Sequence, residues 1–206
     1  MPLAPRILVI AATSRELAAP DALSASTAPF IGVLCGVGPV EAAIASTRAI
    51  QEHHPDGIVH VGIAGARRAA ALAPGSLVIG SASHYTDLSA LPAEWAPSRL
   101  TSDPSLLEAF SRDVPRARVL PIGTSARVGG TLSDATLCDV EAMEGFSVLR
   151  AAQRAWRPRY RSARDLQRHR RRRPRPLALR HGVRCHHDRD AHARGDHAGV
   201  TPSCVN

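Results

Sequence analysis

At 206 residues the chain has the length of one domain, and 44% of it is hydrophobic, enough to bury a sizeable core. Its formal net charge of +8 is uneven: residues 1–155 hold 12 Arg against 14 Asp and Glu, whereas the remainder holds 14 Arg against 4 Asp and no Lys occurs anywhere. No run of 18 apolar residues exists to span a membrane, and the four Cys form no CxxC pair, so neither a zinc site nor a disulfide framework is signalled.

The elements read as follows in chain order. Arg6 to Ala12 is a β-branched-rich run suited to a strand buried on both faces. The N-terminus, with one Arg and an apolar run that continues as this strand, is a poor signal peptide, and a reduced cytoplasmic location is expected. Phe30 to Cys35 is a second strand, punctuated by Gly36-Val37-Gly38-Pro39 and followed by a helix from Val40 to Glu52. Gly57 to Ile63 is a third strand, ending in Ala64-Gly65-Ala66, and Leu77 to Ser81 is a fourth. Pro92 to Pro104 reads as loop and Ser105 to Ser111 as a short helix. Arg118 to Gly123 is another strand, and Cys138 to Met143 reads as strand into turn. Gly145 to Arg154 is an amphipathic helix with Phe146, Leu149 and Ala152 on one side. Strands alternating with helices predict an α/β sheet of mixed order.

Several segments could carry chemistry, and each has a plainer account. Glu16, just beyond the first strand, sits where α/β sheets place ligands, but a Glu at a helix start also serves the helix dipole. The Gly36–Gly38 turn could approach a phosphate or simply be a tight βα turn. Ala64 and Gly65 admit a close ligand or close packing. Glu141-Ala142-Met143-Glu144-Gly145 puts two acids before an apolar helix. They either serve the dipole or present a carboxylate to sugar hydroxyls, with Met143 against the sugar's apolar face. The adjacent pairs His53-His54 and His186-His187 diverge too far for a shared metal, so no metal is expected. Arg170 to Arg173 could bind nucleic acid by charge, but no aromatic platform is interleaved, which makes that partner the lesser reading.

Taken together, ILVIAATSREL, GVGPVEAA, VGIAGA, PGSLVIGSASHYTDL and VEAMEGF resemble the nucleoside phosphorylase and nucleosidase superfamily over roughly residues 5 to 155. VEAMEGF is most similar to futalosine hydrolases, relatives of methylthioadenosine/adenosylhomocysteine nucleosidase. The family's aromatic-His-Asp loop appears with its order changed, as His84, Tyr85, Asp87. The resemblance implies a three-layer α/β/α sandwich around a mixed, partly closed sheet and a homo-oligomeric parent family. It implies hydrolysis of a purine nucleoside without metal or organic cofactor. Glu16 would activate water, Glu144 would hold ribose hydroxyls, and Met143, Ala64 and Gly65 would line the sugar site. It further implies futalosine as substrate, hypoxanthine as leaving base and a place in menaquinone biosynthesis. Methylthioadenosine/adenosylhomocysteine nucleosidase is the alternative. A phosphorylase would need a cationic phosphate site, for which Arg48, Arg67 and Arg68 are the nearby candidates.

The family pattern stops at Ala155. A Gly-Val-Pro turn, a strand and a Ser-Asn or Ser-Asp motif that engages the purine are missing from the Arg- and His-rich residues 156–206. Read one base out of phase, however, synonymous codons from Trp156 to Arg168 can spell GVPAIEVRAISND, which is family-like throughout. The expectation is therefore an incomplete nucleosidase-like domain over 1–155, lacking its C-terminal strand and helix. Residues 156–206 would be a frame-shifted, disordered tail, and little activity is expected from the chain in this frame.

Overall fold

The computed structural model describes residues 6–18, 30–88, 92, 94–129, 138–156 and 178–183. The tail's Arg170–Arg173 run and its His186-His187 pair lie outside these residues, as does most of the tail expected to be disordered. The strands are β1 (Ile7–Ala11), β2 (Phe30–Leu34), β3 (Gly57–His60), β4 (Ile63–Ala66), β5 (Leu77–Tyr85), β6 (Arg99–Thr101), β7 (Arg118–Thr124), β8 (Val140–Ala142) and β9 (Ala178–Val183). The α-helices are α1 (Ser14–Ala18), α2 (Pro39–His53), α3 (Pro104–Asp113) and α4 (Gly145–Trp156).

All nine strands join one mixed sheet in the order β2-β1-β3-β9-β4-β8-β7-β5-β6, with a further β9–β5 pairing. That extra pairing curls the sheet on itself while β2 and β6 remain its edges. The period of two along β1 accounts for the layers. Leu8 and Ile10 join one cluster with Ala42, Ala49 and Ile50 of α2 and Phe146, Val148, Leu149 and Ala152 of α4. Val9 and Ala11 join the opposite cluster, against which Leu17 of α1 and Phe110 of α3 pack. Both faces of β1 are thus covered, as its unbroken apolar run predicts. No helix among the described residues is long and apolar enough to cross a membrane.

Four elements differ from the sequence reading. The third predicted strand breaks at Val61-Gly62, and β4 then turns to pair with β8 antiparallel. β5 runs on to Tyr85, because its polar Ser83 is buried against Thr124, each hydroxyl finding the other at 3.1 Å. β6 lies in the stretch read as loop: three residues paired antiparallel with β5 are too few to show alternation. The largest correction is β9. No strand was expected after Ala155, yet Ala178–Val183 pairs parallel with β3 and β4 and antiparallel with β5. Backbone N–H and C=O groups on neighbouring strands demand partners whatever the side chains are. An apolar pattern is therefore not a requirement for filling that slot.

Candidate active site

The site is assembled at the carboxyl ends of β1, β2 and β3 and at the start of α4. β1 gives way to Thr13 and the short helix α1, which carries Glu16. Thr13 and Glu16 form a capping box, in which a first residue and the one three positions on satisfy each other's backbone. The Thr13 N–H and the Thr13 hydroxyl each donate to Glu16 Oε2 at 2.8 Å. The Glu16 N–H points back to Thr13 Oγ1 at 3.4 Å. A third donor comes from far along the chain: the Ile63 N–H reaches Glu16 Oε1 at 3.0 Å.

The β2–α2 connection supplies Gly38, whose φ of 95° and ψ of 165° suit glycine alone. Its N–H, one of those left open at the start of α2, donates to Glu144 Oε1 at 2.9 Å. The Met143 N–H donates to Glu144 Oε2 at 3.2 Å. Glu144 is only 5% exposed. Burial holds its carboxyl above the ordinary range, the Gly38 N–H offsets part of that, and the charge of Glu16 raises it again. Cys35 feels both acids. Burial first, then Glu144 and Glu16, push its thiol up to about 12, so it stays neutral.

The base of α4 is fixed from behind. The Phe146 N–H donates to Thr124 Oγ1 at 2.9 Å, and the Phe146 ring stacks on Tyr85 with centroids 5.4 Å apart. Asp87 ties the loop after β5 to the turn after β7, accepting from the Ala126 N–H at 2.7 Å and the Ser125 hydroxyl at 3.3 Å. His84 is held below its ordinary value by burial and then by Arg99.

Among the residues singled out from sequence, Glu16, Met143 and Glu144 come together with Gly38. Ala64 and Gly65 follow directly on Ile63. The Ala64 side chain faces the other way, into a cluster with Val78, Ile122, Val140 and Ala142, while Gly65 is exposed. Glu141, the first acid of the motif, is not with Glu144. It alternates onto the opposite side of β8 and pairs with Arg67 at 3.3 Å. Thr13, Ile63 and Thr124 were missed. The Thr-x-x-Glu spacing from 13 to 16 could have revealed Thr13. Ile63 acts through its backbone, and Thr124 through a tertiary contact, and neither leaves a mark in a single sequence.

The family model described as the phosphorylase superfamily matches residues 26–157. No curated protein matches the chain significantly. Solved structures do. A futalosine hydrolase of Helicobacter pylori is 13% identical with a TM-score of 0.68, over 89% of this chain and 88% of that one. The S-adenosylhomocysteine nucleosidase of Streptococcus pyogenes, solved with 5-methylthiotubericidin, is 20% identical with a TM-score of 0.66, over 87% and 83%. The 5'-methylthioadenosine/S-adenosylhomocysteine nucleosidase of Neisseria meningitidis, solved with methylthio-immucillin-A, is 18% identical with a TM-score of 0.64, over 87% and 85%. At these identities the likeness is one of fold.

Proposed function

The chain belongs to the phosphorylase superfamily, and we propose that within it this sequence encodes a purine nucleosidase that hydrolyses the N-glycosidic bond of futalosine and releases hypoxanthine, in menaquinone biosynthesis. The observation that carries the reading is two carboxylates held by backbone donors at this end of the sheet, Glu16 by the Ile63 N–H at 3.0 Å and the buried Glu144 by the Gly38 N–H at 2.9 Å. Such a bond breaks through an oxocarbenium-like state, with positive charge growing on the ribosyl ring. Glu144 holds the ribose hydroxyls and stabilises that charge from a buried position. Glu16 orients the attacking water and takes its proton. Met143 lies against the sugar, and the backbone at Ala64 and Gly65 lines it. The chemistry calls for no metal or organic cofactor, and the substrate is the only small-molecule partner invoked.

Two contacts favour water over phosphate as the acceptor. The N–H of Gly38 at the start of α2, a natural anion position, is already taken by Glu144. Arg67, one of the three cations that the sequence offered for phosphate, is engaged by Glu141, away from Glu144. The futalosine reading rests on VEAMEGF, whose Ala142 and Phe146 set it apart from the methylthioadenosine/adenosylhomocysteine nucleosidases. The latter remain the second reading because their fold is equally similar.

The leaving purine needs a hydrogen bond or proton at N7. We propose that the segment supplying it is encoded one base out of phase after Ala155, as GVPAIEVRAISND. The basic tail is then a product of frame, without a nucleic-acid role. The test has two parts. The gene is read across the codons for Ala155 and Trp156. Hypoxanthine and adenine are then measured after incubating futalosine and methylthioadenosine with the 206-residue chain and with the chain continued in the shifted frame. Negligible release by the first and clear hypoxanthine release by the second are expected. Ordinary turnover by the 206-residue chain would reject the frame reading, and adenine release from methylthioadenosine alone would reassign the substrate.

A further inference from the structure

Glu16 is bound unequally at its two oxygens, and the inequality singles out one of them. A carboxylate oxygen has about two acceptor positions. Oε2 has both filled, by the Thr13 N–H and the Thr13 hydroxyl, each at 2.8 Å. Oε1 has one filled, by the Ile63 N–H at 3.0 Å. A capping box alone would leave Oε1 free to swing. The bond from Ile63, 47 residues away, fixes the carboxylate plane against the β3–β4 junction. Among the described residues, one acceptor position, on Oε1, is left over.

We propose that Oε1 is the oxygen that takes the proton from the attacking water, and that Thr13 is a positioning residue that keeps Oε2 out of that role. The assignment rests on the nucleosidase reading. The hydroxyl of Thr13 has a single proton, and it goes to Oε2. With that proton in place, water has one place to bind, beside Ile63. Without it, Oε2 offers a second position, displaced from the first by the width of the carboxylate. A displacement of about 1 Å can cost about 10²-fold in rate. Water shared equally between the two oxygens should therefore cost about twofold, and water held roughly nine times in ten at the wrong one about 10-fold.

Thr13 also caps α1, so the experiment separates capping from positioning. Thr13→Val deletes the hydroxyl at nearly constant shape and keeps the backbone donor. Thr13→Ser keeps both. Thr13 is exposed, so both chains should fold. The assay uses the full 206-residue chain and, beside it, the chain continued in the shifted frame; both carry Thr13, Glu16 and Ile63 unchanged. Purine release is followed to obtain kcat and KM, with Glu16→Gln in parallel. The expected result is no release by Glu16→Gln, a fall of about 2- to 10-fold in kcat with KM within about twofold for Thr13→Val, and recovery by Thr13→Ser. If Glu16→Gln is inactive while Thr13→Val matches the parent, the positioning role falls and the nucleosidase reading stands. If Thr13→Val is unfolded, or Thr13→Ser fails to restore kcat, Thr13 is a helix cap only. If Glu16→Gln is active, or neither form releases a purine, the reading itself falls and the inference with it.

Discussion

Glu16 accepts three hydrogen bonds, two of them from a residue three positions before it, and stays half-buried. Glu144 accepts two, one of them from Gly38, 106 residues back, and is almost wholly enclosed. The first environment ties a partly exposed carboxylate to three donors at the end of β1. The second sets a carboxyl among the apolar residues of α2 and α4, where keeping a charge is costly unless donors face it. In a nucleosidase the two settings match two tasks, proton transfer at one acid and charge stabilisation at the other. The division follows from what surrounds each group, since both are the same side chain.

The sharpest way to break this comparison is to neutralise each acid in the shifted-frame chain. Glu16→Gln keeps the shape and removes the base, so hydrolysis should fall by about 10²–10⁴-fold while nucleoside binding persists. Unchanged kcat would refute the base assignment. Glu144→Gln should lose both binding and rate, by about 10²-fold in kcat/KM, since ribose contacts exist in the ground state and strengthen in the transition state. A loss confined to kcat would argue against a hydroxyl-holding role.

Gly38→Ala probes the donor rather than the acid. An added Cβ meets nothing within 4 Å, so crowding is not the obstacle. The backbone conformation is, at about 1–3 kcal/mol. A denaturant melt should show that loss, and KM for the nucleoside should rise as Glu144 loses its anchor. A neutral substitution would mean that the turn relaxes freely.

Glu144 should also link stability to pH. The Glu144 carboxyl lies above its ordinary 4.5 in the fold, so the folded chain retains a proton that the unfolded chain has already released. Its contribution to stability is full below 4.5 and is lost as pH rises through the folded value. Gln stays neutral throughout. Thermal melts of Glu144→Gln should therefore gain on the parent as pH rises across that window, and a constant difference would contradict the burial argument.

The smallest effect is expected where α2 meets α4. Ser46 is fully buried there, and its hydroxyl has no hydrogen-bond partner among the described residues. Ser46→Ala should raise stability by about 1 kcal/mol, read as an upward shift in the denaturant midpoint, because it removes an unsatisfied polar group. A loss of stability would show that the hydroxyl is satisfied in solution.

Legibility in the sequence followed the range of the interactions. β1, β2, α2 and α4 were readable because their burial follows a period of two or 3.6 within a few residues. β6 and β9 were not, because each exists through the backbone of a neighbouring strand. Glu16 and Glu144 were legible as acids at strand and helix ends, and their family motif sharpened them. What was hidden is the support beneath them. The Ile63 N–H carries no side-chain signature, and Thr124 is an ordinary strand residue until the fold sets it under Phe146. Glu141 was given no role of its own. It stands in the same motif as Glu144, but strand alternation sends it to Arg67.

The most direct test of the two-carboxylate account is base release from futalosine in phosphate-free buffer by the chain continued in the shifted frame, with Glu16→Gln and Glu144→Gln alongside. The account predicts free hypoxanthine without added phosphate, none above background from Glu16→Gln, and a reduced rate with raised KM from Glu144→Gln. Release that begins only when phosphate is added, or that is the same in all three proteins, would contradict it.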